Sequence, residues 1–263
     1  MAEDGATLRF VPGGMVSFAE SSGTQVKRSV KVNPFYMDET QVTNHQYVEF
    51  LNQNLSRVRI DRRVVRSDEE IWLLLGEVIE GYDPIIYQNG RFRVSNATFA
   101  SYPVLRVTGF GASAYANFYG RRLPTVAEWL FVVKKGALSQ SNSSETVPGP
   151  VTGMPMDRWM GSEMMGDWSE DQQDSGRASA PQTLKPLQKL EPVLFFQPNA
   201  LGIRGMNKDV GEWALLLIGA TSRDEKIDEE YVILGCIEGL AEKYSSIPSL
   251  VIRQPWEAFE EVG

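Results

Sequence analysis

Short runs of alternating apolar and polar residues mark the beginning of the chain. Residues 8–32 carry strand-like runs that are interrupted at Pro12-Gly13-Gly14 and at a Ser/Gly cluster at 21–24. Proline and glycine punctuate regular structure because one lacks an N–H donor and the other lacks a Cβ. The pattern predicts several short strands, the last of them at residues 26–32.

A capping box predicts the first helix. Thr43 and Gln46 have the T-x-x-Q spacing in which each side chain binds the other residue's backbone N–H. Val42 and Tyr47 have the spacing of a hydrophobic staple, which fixes how the chain enters a helix. We therefore expect a helix over residues 44–54.

A second box and a turn dipeptide follow. Ser67 with Glu70 predicts that an apolar helix begins at Asp68 and covers residues 68–81. Further on, IIYQNGRFRV places Asn89-Gly90 between two apolar runs, which predicts a two-residue hairpin.

The second half alternates between helix signals and irregular sequence. Thr125 with Glu128 predicts a third helix over AEWLFVVKKG, with Gly136 as its end. Residues 137–192 are rich in Ser, Gly, Pro, Met and Asp and predict a long irregular region. Apolar runs resume at residues 193–196 and then in GEWALLLIG, YVILGCIEGLA and SLVIRQPW, and they predict short strands.

Composition and charge narrow the class of protein. Hydrophobic residues make up 42% and charged residues 23% of the 263 residues, which is typical of a chain that buries a core. The net charge is −8, from 34 acidic and 26 basic residues, and it argues against nucleic acid as a partner. No apolar stretch approaches the 18 or so residues that cross a bilayer.

The cellular compartment stays open. The first residues, MAEDGATLRF, have no basic segment followed by an apolar one, so the printed sequence shows no export signal. Two interpretations remain: a cytoplasmic protein, or a periplasmic or lipoprotein-anchored protein whose leader was removed. Cys236 stands alone and excludes an internal disulfide, but it does not separate the compartments.

Four ordered motifs carry a family resemblance. They are FVPGGMVSF, FYMDETQVTNHQYVEFL, YPVLRVTGFGASAYANFYGRRLPTVAEWLFV and PNALGIRGMNKDVGEW. Their order and spacing resemble the formylglycine-generating-enzyme (sulfatase-modifying factor) family. The resemblance implies an irregular, loop-rich α+β fold with little regular secondary structure, related to the C-type lectin fold. It also implies one domain over residues 1–263, trimmed at its C-terminus.

The residues for that family's chemistry are missing. The oxidases of the family use a cysteine pair that binds copper, and the matching positions here are Gly239 and Tyr244. The iron-dependent branch uses three histidines, whereas this chain has only His45. We therefore expect neither copper nor iron, and we expect a non-catalytic member of the family, a pseudoenzyme.

Structural calcium is the cofactor that the resemblance implies. The segment DSGRASAP resembles a calcium loop of the family, which assigns Asp174 and the Gly176 carbonyl as ligands with Asp167 as a companion. Glu212 matches a ligand of a second calcium site, but the partner position of that site is Gly205, which has no side chain. The alternative for these carboxylates is an ordinary solvated role.

The remaining motif residues are expected to be structural. Trp129 and Trp213 are predicted to be core residues. Arg121 and Arg122 are predicted to anchor loops by hydrogen bonds rather than to bind a ligand.

These observations lead to a binding hypothesis. We expect a binding or scaffolding module of a bacterial assembly, at the cell envelope if a leader was removed, with loops 137–192 and 57–83 contacting a protein or glycan. An adaptable partner surface is expected at Met160, Met164, Met165 and Trp168, with a loop-covered core as the alternative. The competing hypothesis is a divergent metal-dependent enzyme of the same family.

Overall fold

A computed structural model describes residues 2–19, 27–78, 81–138, 190–206, 210–218, 228–235 and 250–252. This part of the chain contains three α-helices, one short 3-10 helix at Ala97–Phe99 and twelve short strands. The helices are α1 (Asn44–Gln53), α2 (Gly109–Phe118) and α3 (Val126–Leu138). The strands are β1 (Leu8–Val11), β2 (Gly14–Ala19), β3 (Lys27–Val32), β4 (Phe35–Asp38), β5 (Val58–Asp61), β6 (Val64–Ser67), β7 (Glu70–Leu74), β8 (Ile85–Gln88), β9 (Arg91–Val94), β10 (Glu212–Ile218), β11 (Asp228–Leu234) and β12 (Leu250–Ile252).

The strands form small antiparallel sheets. Three sheets have two strands each, β1-β4, β2-β3 and β8-β9, and two have three, β5-β6-β7 and β10-β11-β12. The architecture of the described residues is therefore mixed α and β and rich in strands. No helix in these ranges is long and apolar enough to cross a membrane.

The predictions for the first strands and for α1 are confirmed. β3 ends at Val32, as expected from the pattern. In α1, the Thr43 hydroxyl accepts a hydrogen bond from the Gln46 amide at 3.2 Å, and the Gln46 side-chain oxygen accepts one from the Thr43 amide at 2.9 Å. Val42 packs against the same apolar cluster as Tyr47, as a staple requires.

The second predicted helix is wrong, because residues 70–74 form strand β7. Asp68 adopts φ 51°, a left-handed turn conformation that is incompatible with the first turn of a helix. Periodicity cannot distinguish a short apolar run in a strand from one in a helix. Pairing of β7 with β6 therefore decided the outcome.

The Asn89-Gly90 hairpin is confirmed, with φ of 53° and 78° at the two turn residues. The start of α3 is confirmed as well. Its predicted end is wrong, since the helix continues through Gly136 to Leu138. A Cβ at Gly136 would come within 2.5 Å of the Asn199 side chain, so glycine permits close packing there.

Strands β10, β11 and β12 confirm the three late apolar runs, but the predicted strand at residues 193–196 is wrong. Those residues form turns, and the Phe195 amide donates to the Pro192 carbonyl at 2.8 Å. Phe195 remains exposed, so the apolar run does not cover a sheet.

Two apolar clusters account for most of the described core. In the first, α1 and α2 pack on β9 and β7 around Tyr47, Phe50 and Trp72. In the second, α3 packs on β2, β3 and β10 around Trp129. Trp213 lies in a smaller cluster with Ile233, and both tryptophans are buried as predicted.

Gly111 sets how closely α2 approaches β7. A Cβ at this position would lie 2.1 Å from the Trp72 carbonyl oxygen and 2.7 Å from the Tyr47 hydroxyl. Both neighbours are buried, so the helix would have to move.

We predict that Gly111→Ala lowers the free energy of unfolding by on the order of 2 to 3 kcal/mol, because overpacking forces backbone shifts. Denaturant titration measures the change. Asn117→Ala, on the exposed side of the same helix, is the control and should change stability by less than about 0.5 kcal/mol. Equal stability of the two variants would show that α2 can move away from β7 at little cost in free energy, and it would contradict the prediction.

Candidate functional site

A cavity of about 420 Å³ lies among β4, the segment that follows α2, the start of α3 and the start of β10. Its walls combine aromatic and aliphatic side chains with charged groups from segments far apart in sequence. This volume is within the range of small-molecule sites. The charged groups at its walls therefore decide what the cavity can do.

Arg121 connects the N-terminal segment to β4. Its Nη1 donates to both Asp38 oxygens at 2.7 and 2.8 Å, and its Nη2 donates to the Asp4 carboxylate. The guanidinium carbon lies 5.6 Å from the Tyr115 ring centroid and 5.5 Å from that of Tyr119. Burial acts to raise the pKa of Asp4, but hydrogen bonds from Tyr115, the Ala6 amide and Arg121 hold it below its usual value.

Arg122 pairs with Glu128 in a two-point contact. Its Nη1 and Nη2 donate to the two carboxylate oxygens at 2.8 and 2.6 Å. Glu128 also accepts from the Thr125 amide at 2.8 Å, which completes the capping box of α3. Burial favours a higher pKa for Glu128, but the Arg122 and Thr125 hydrogen bonds lower it below its usual value. Both arginines anchor loops, as predicted.

Glu39 joins two further arginines. Arg204 Nε donates to one carboxylate oxygen at 2.8 Å, and Arg9 Nη2 donates to the other at 2.6 Å. The Arg204 hydrogen bond and the Arg9 charge hold the pKa of Glu39 below its usual value despite its burial. This network joins β1, the end of β4 and residue 204.

Glu212 differs from Asp38, Glu39 and Glu128 because no cation of the described residues forms an ion pair with it. One oxygen accepts from the Trp129 indole Nε1, and the other accepts from Gln41 Nε2 at 3.0 Å. Burial raises the pKa of Glu212 to about 7, and the two hydrogen bonds oppose that rise. A carboxyl group with this pKa changes its protonation state near neutral pH.

Gln41 also occupies the position between the two groups of the predicted second calcium site. Its Nε2 lies 3.3 Å from the Gly205 carbonyl oxygen, to which it donates, as well as 3.0 Å from Glu212. Calcium takes six to eight oxygen ligands, so an N–H donor is a poor fit there. An ion between Glu212 and Gly205 would have to displace the Gln41 amide.

The other predicted site residues lie outside the described residues. These are the calcium candidates Asp167, Asp174 and Gly176, the partner-surface candidates Met160, Met164, Met165 and Trp168, and the residues Cys236, Gly239 and Tyr244. His45 is described and is exposed, as expected for a surface position on α1. Within the described ranges, no group of three His, Cys, Asp or Glu side chains could hold a metal ion.

The sequence did not reveal Gln41, Asp4 or Glu39 as members of this site. Gln41 and Glu212 are 171 positions apart, and Asp4 and Arg121 are 117 apart. Pairing over such separations leaves no local spacing signal. Only the resemblance, which had already drawn attention to Glu212 and to Arg121-Arg122, pointed to this part of the molecule.

Similar proteins include a kinase that is much longer than this chain and two formylglycine-generating-enzyme proteins of more comparable length. The chain is 28% identical over 62% of its length to the serine/threonine-protein kinase pkn1 of Chlamydia caviae. It is 23% identical over 77% of its length to the formylglycine-generating enzyme of Streptomyces coelicolor. The inactive C-alpha-formylglycine-generating enzyme 2 of Bos taurus is 23% identical over 99% of this chain.

Coverage differs among these relatives. The matched region spans only 27% of the Chlamydia caviae kinase, but 66% of the Streptomyces enzyme and 88% of the bovine protein. Among solved structures, PvdO from Pseudomonas aeruginosa aligns over 99% of this chain and 93% of its own, at 15% identity and a TM-score of 0.47.

A family model for the sulfatase-modifying factor enzyme 1-like domain matches residues 2–233. The match includes α1, the Arg121-Arg122 segment, α3 and the Glu212 position. On this evidence the chain belongs to the sulfatase-modifying factor enzyme 1-like (formylglycine-generating-enzyme) family.

Proposed function

We propose that this chain is a non-catalytic binding or scaffolding module built on the formylglycine-generating-enzyme fold. The observation that carries the proposal is the state of the charged groups at the cavity. Asp38, Glu128 and the nearby Glu39 each form ion pairs with arginines of the chain itself. Groups in such pairs hold segments together and are poorly suited to exchange protons with a substrate.

The sequence supports the same proposal. The whole chain contains one cysteine and one histidine. A single thiol cannot bind and cycle copper as a pair does, and a single imidazole falls short of a three-histidine iron site. The bovine relative, whose match spans 99% of this chain and 88% of its own, carries the word inactive in its name.

Partner binding has its own support. In the Chlamydia caviae kinase, the matching region is about a quarter of a longer chain, which is the arrangement of an accessory domain. We propose a bacterial assembly as the setting, with a protein or glycan as partner and loops as the contact. Loops on a rigid scaffold commonly carry binding.

The decisive test of non-catalysis is direct. We predict that the purified protein, supplied with copper and air, does not convert cysteine to formylglycine in a sulfatase-type peptide, because it has no cysteine pair. Mass spectrometry of the peptide measures the conversion, with an active family member as the positive control. An aldehyde product in excess of that in a reaction without the protein would contradict the proposal.

Calcium at the Asp174 loop is part of the proposal. If Asp174 and Gly176 bind calcium, adding the ion raises the melting temperature relative to a chelator, because a ligand that binds only the native state stabilises it. Asp174→Asn should abolish that rise. A calcium response that persists in the variant, or is absent from the parent protein, argues against this site.

One observation favours the competing function, a divergent metal-dependent enzyme. Glu212 lines the cavity, and burial raises its pKa to about 7, near the operating pH expected of a general acid or base. The carboxyl group nevertheless accepts hydrogen bonds from Trp129 and Gln41 on both oxygens. We therefore assign Glu212 a structural role and test it through stability.

The raised pKa of Glu212 predicts how stability changes with pH. The folded protein binds the proton more tightly than the unfolded chain, so this contribution is complete below about pH 4.5 and is lost as pH rises through 7. Glu212→Gln removes the titration. The stability of the variant relative to the parent should therefore rise by on the order of 2 kcal/mol between about pH 5 and about pH 8.

Denaturant titrations of both proteins across that range provide the measurement. Glu229→Gln, at an exposed carboxylate on the neighbouring strand β11, is the control and should keep the parent's pH profile. A constant difference between Glu212→Gln and the parent across the range would contradict the assigned protonation.

A further inference from the structure

Five arginines lie in the segment 57–67, which we call the arginine hairpin. Arg59 lies on β5 and Arg66 on β6, Arg62 and Arg63 form the turn between these strands, and Arg57 precedes β5. Arg66 is half-buried and the other four are exposed. The protein as a whole has a net charge of −8, so this basic segment contrasts with the rest of the molecule.

The hairpin arginines have no counter-ion in the part of the chain that the structure describes. None of the five forms an ion pair there, whereas Arg121, Arg122 and Arg204 all do. Folding of the described residues therefore does not account for these positive charges.

The register places two of the charges directly opposite each other. Arg59 pairs with Arg66 across the strands, and the neighbouring pair, Val58 with Ser67, is buried. Side chains alternate between faces, so both arginines lie on the outer face of the sheet. Like charges in this arrangement destabilise a sheet. In addition, Arg66 Nε is buried and has no hydrogen-bond partner among the described residues.

Within the described part of the chain, the same hairpin has a free edge. In the three-stranded sheet, β5 pairs with β6 and with no other described strand. The far side of β7 is covered, because Leu73 bridges to Val107 and the Leu74 amide donates to the Arg106 carbonyl at 3.1 Å. An open edge strand presents backbone groups that can pair with an added strand.

We propose that an extended, acidic segment of a partner protein adds to β5 as a fourth strand and neutralises the hairpin arginines. Strands in a sheet are about 4.8 Å apart, so a glutamate opposite Arg59 lies within reach of both Arg59 and Arg66. Guanidinium groups bind carboxylates through two parallel hydrogen bonds, which suits an arginine-only cluster. Backbone pairing supplies affinity and the charges supply specificity.

The surroundings of the hairpin favour a peptide over a polyanion. Asp61, Asp68 and Glu69 flank the arginines, and together with the net charge they repel a long nucleic acid or an anionic bilayer. β5 and β6 contain no aromatic residue on which a base could stack. This inference rests on the proposed binding function and names the chemistry of the partner.

The probe is a short, capped, fluorescent peptide of alternating glutamate and threonine, titrated with the full chain at low and moderate salt. Fluorescence anisotropy reports binding. We expect binding that weakens with salt, and we expect Arg59→Ala with Arg66→Ala to weaken it by about tenfold. Arg91→Ala with Arg93→Ala removes the same charge from two exposed positions on strand β9 of another sheet and should change the affinity by less than about twofold.

Charge reversal gives an independent readout. Arg59→Glu with Arg66→Glu should lose the glutamate peptide and gain a matching lysine-threonine peptide. Circular dichroism checks that each variant is folded. No binding by the parent protein, equal loss in both double alanine variants, or tighter binding of single-stranded DNA or anionic vesicles overturns the inference. Aldehyde formation in the sulfatase-type peptide overturns the proposed non-catalytic function but does not affect the peptide-binding result. Failure of the proposed function and failure of this inference can therefore be told apart.

Discussion

The contact on which the described structure most depends is the one made by the partly buried carboxyl group of Glu212. It receives the Trp129 indole from α3 and the Gln41 amide from the segment before α1, and it starts β10. These three segments are brought to one point by two hydrogen bonds. An unpaired carboxylate in this position would carry a large desolvation penalty, so the partners have to be present together.

The ion pairs extend the same principle around the cavity. Arg121 joins the N-terminal segment to β4. Arg204, from the segment that precedes β10, donates to Glu39 at the end of β4. Short strands bury little apolar surface individually, so polar contacts between distant segments take over part of the task of fixing their positions. A charged side chain that is held in such an ion pair is poorly suited to proton transfer. The ion pairs that fix the segments therefore also support the proposed non-catalytic function.

The arginines of the arginine hairpin differ from those at the cavity. Arg59 and Arg66 face each other without a counter-ion from the described residues, although the chain pairs arginines elsewhere. The unfavourable contact lies next to a strand edge that no other described strand covers, which is where we propose that a partner adds. The paired arginines thus join segments of the scaffold, whereas we propose that those of the hairpin bind a partner.

Local signals in the sequence determined much of the local structure, although the Ser67–Glu70 spacing did not start a helix. Thr43 with Gln46 and Thr125 with Glu128 started helices where predicted, because capping depends on neighbours within one turn. The turn at Asn89 formed for a similar reason, since the residue tolerates a positive φ. The ordered motifs also identified the family, and with it Glu212 as a notable residue.

Tertiary structure decided the features that depend on distant partners. Residues 70–74 became a strand because β6 offered hydrogen bonds, and Gly136 lies inside α3 in close contact with Asn199 rather than at its end. The sequence signalled Glu212 but not its partner Gln41, whose contact spans 171 positions. Capping and turn chemistry act over a few residues and can be read from the chain, whereas long-range pairing is determined only when the chain has folded.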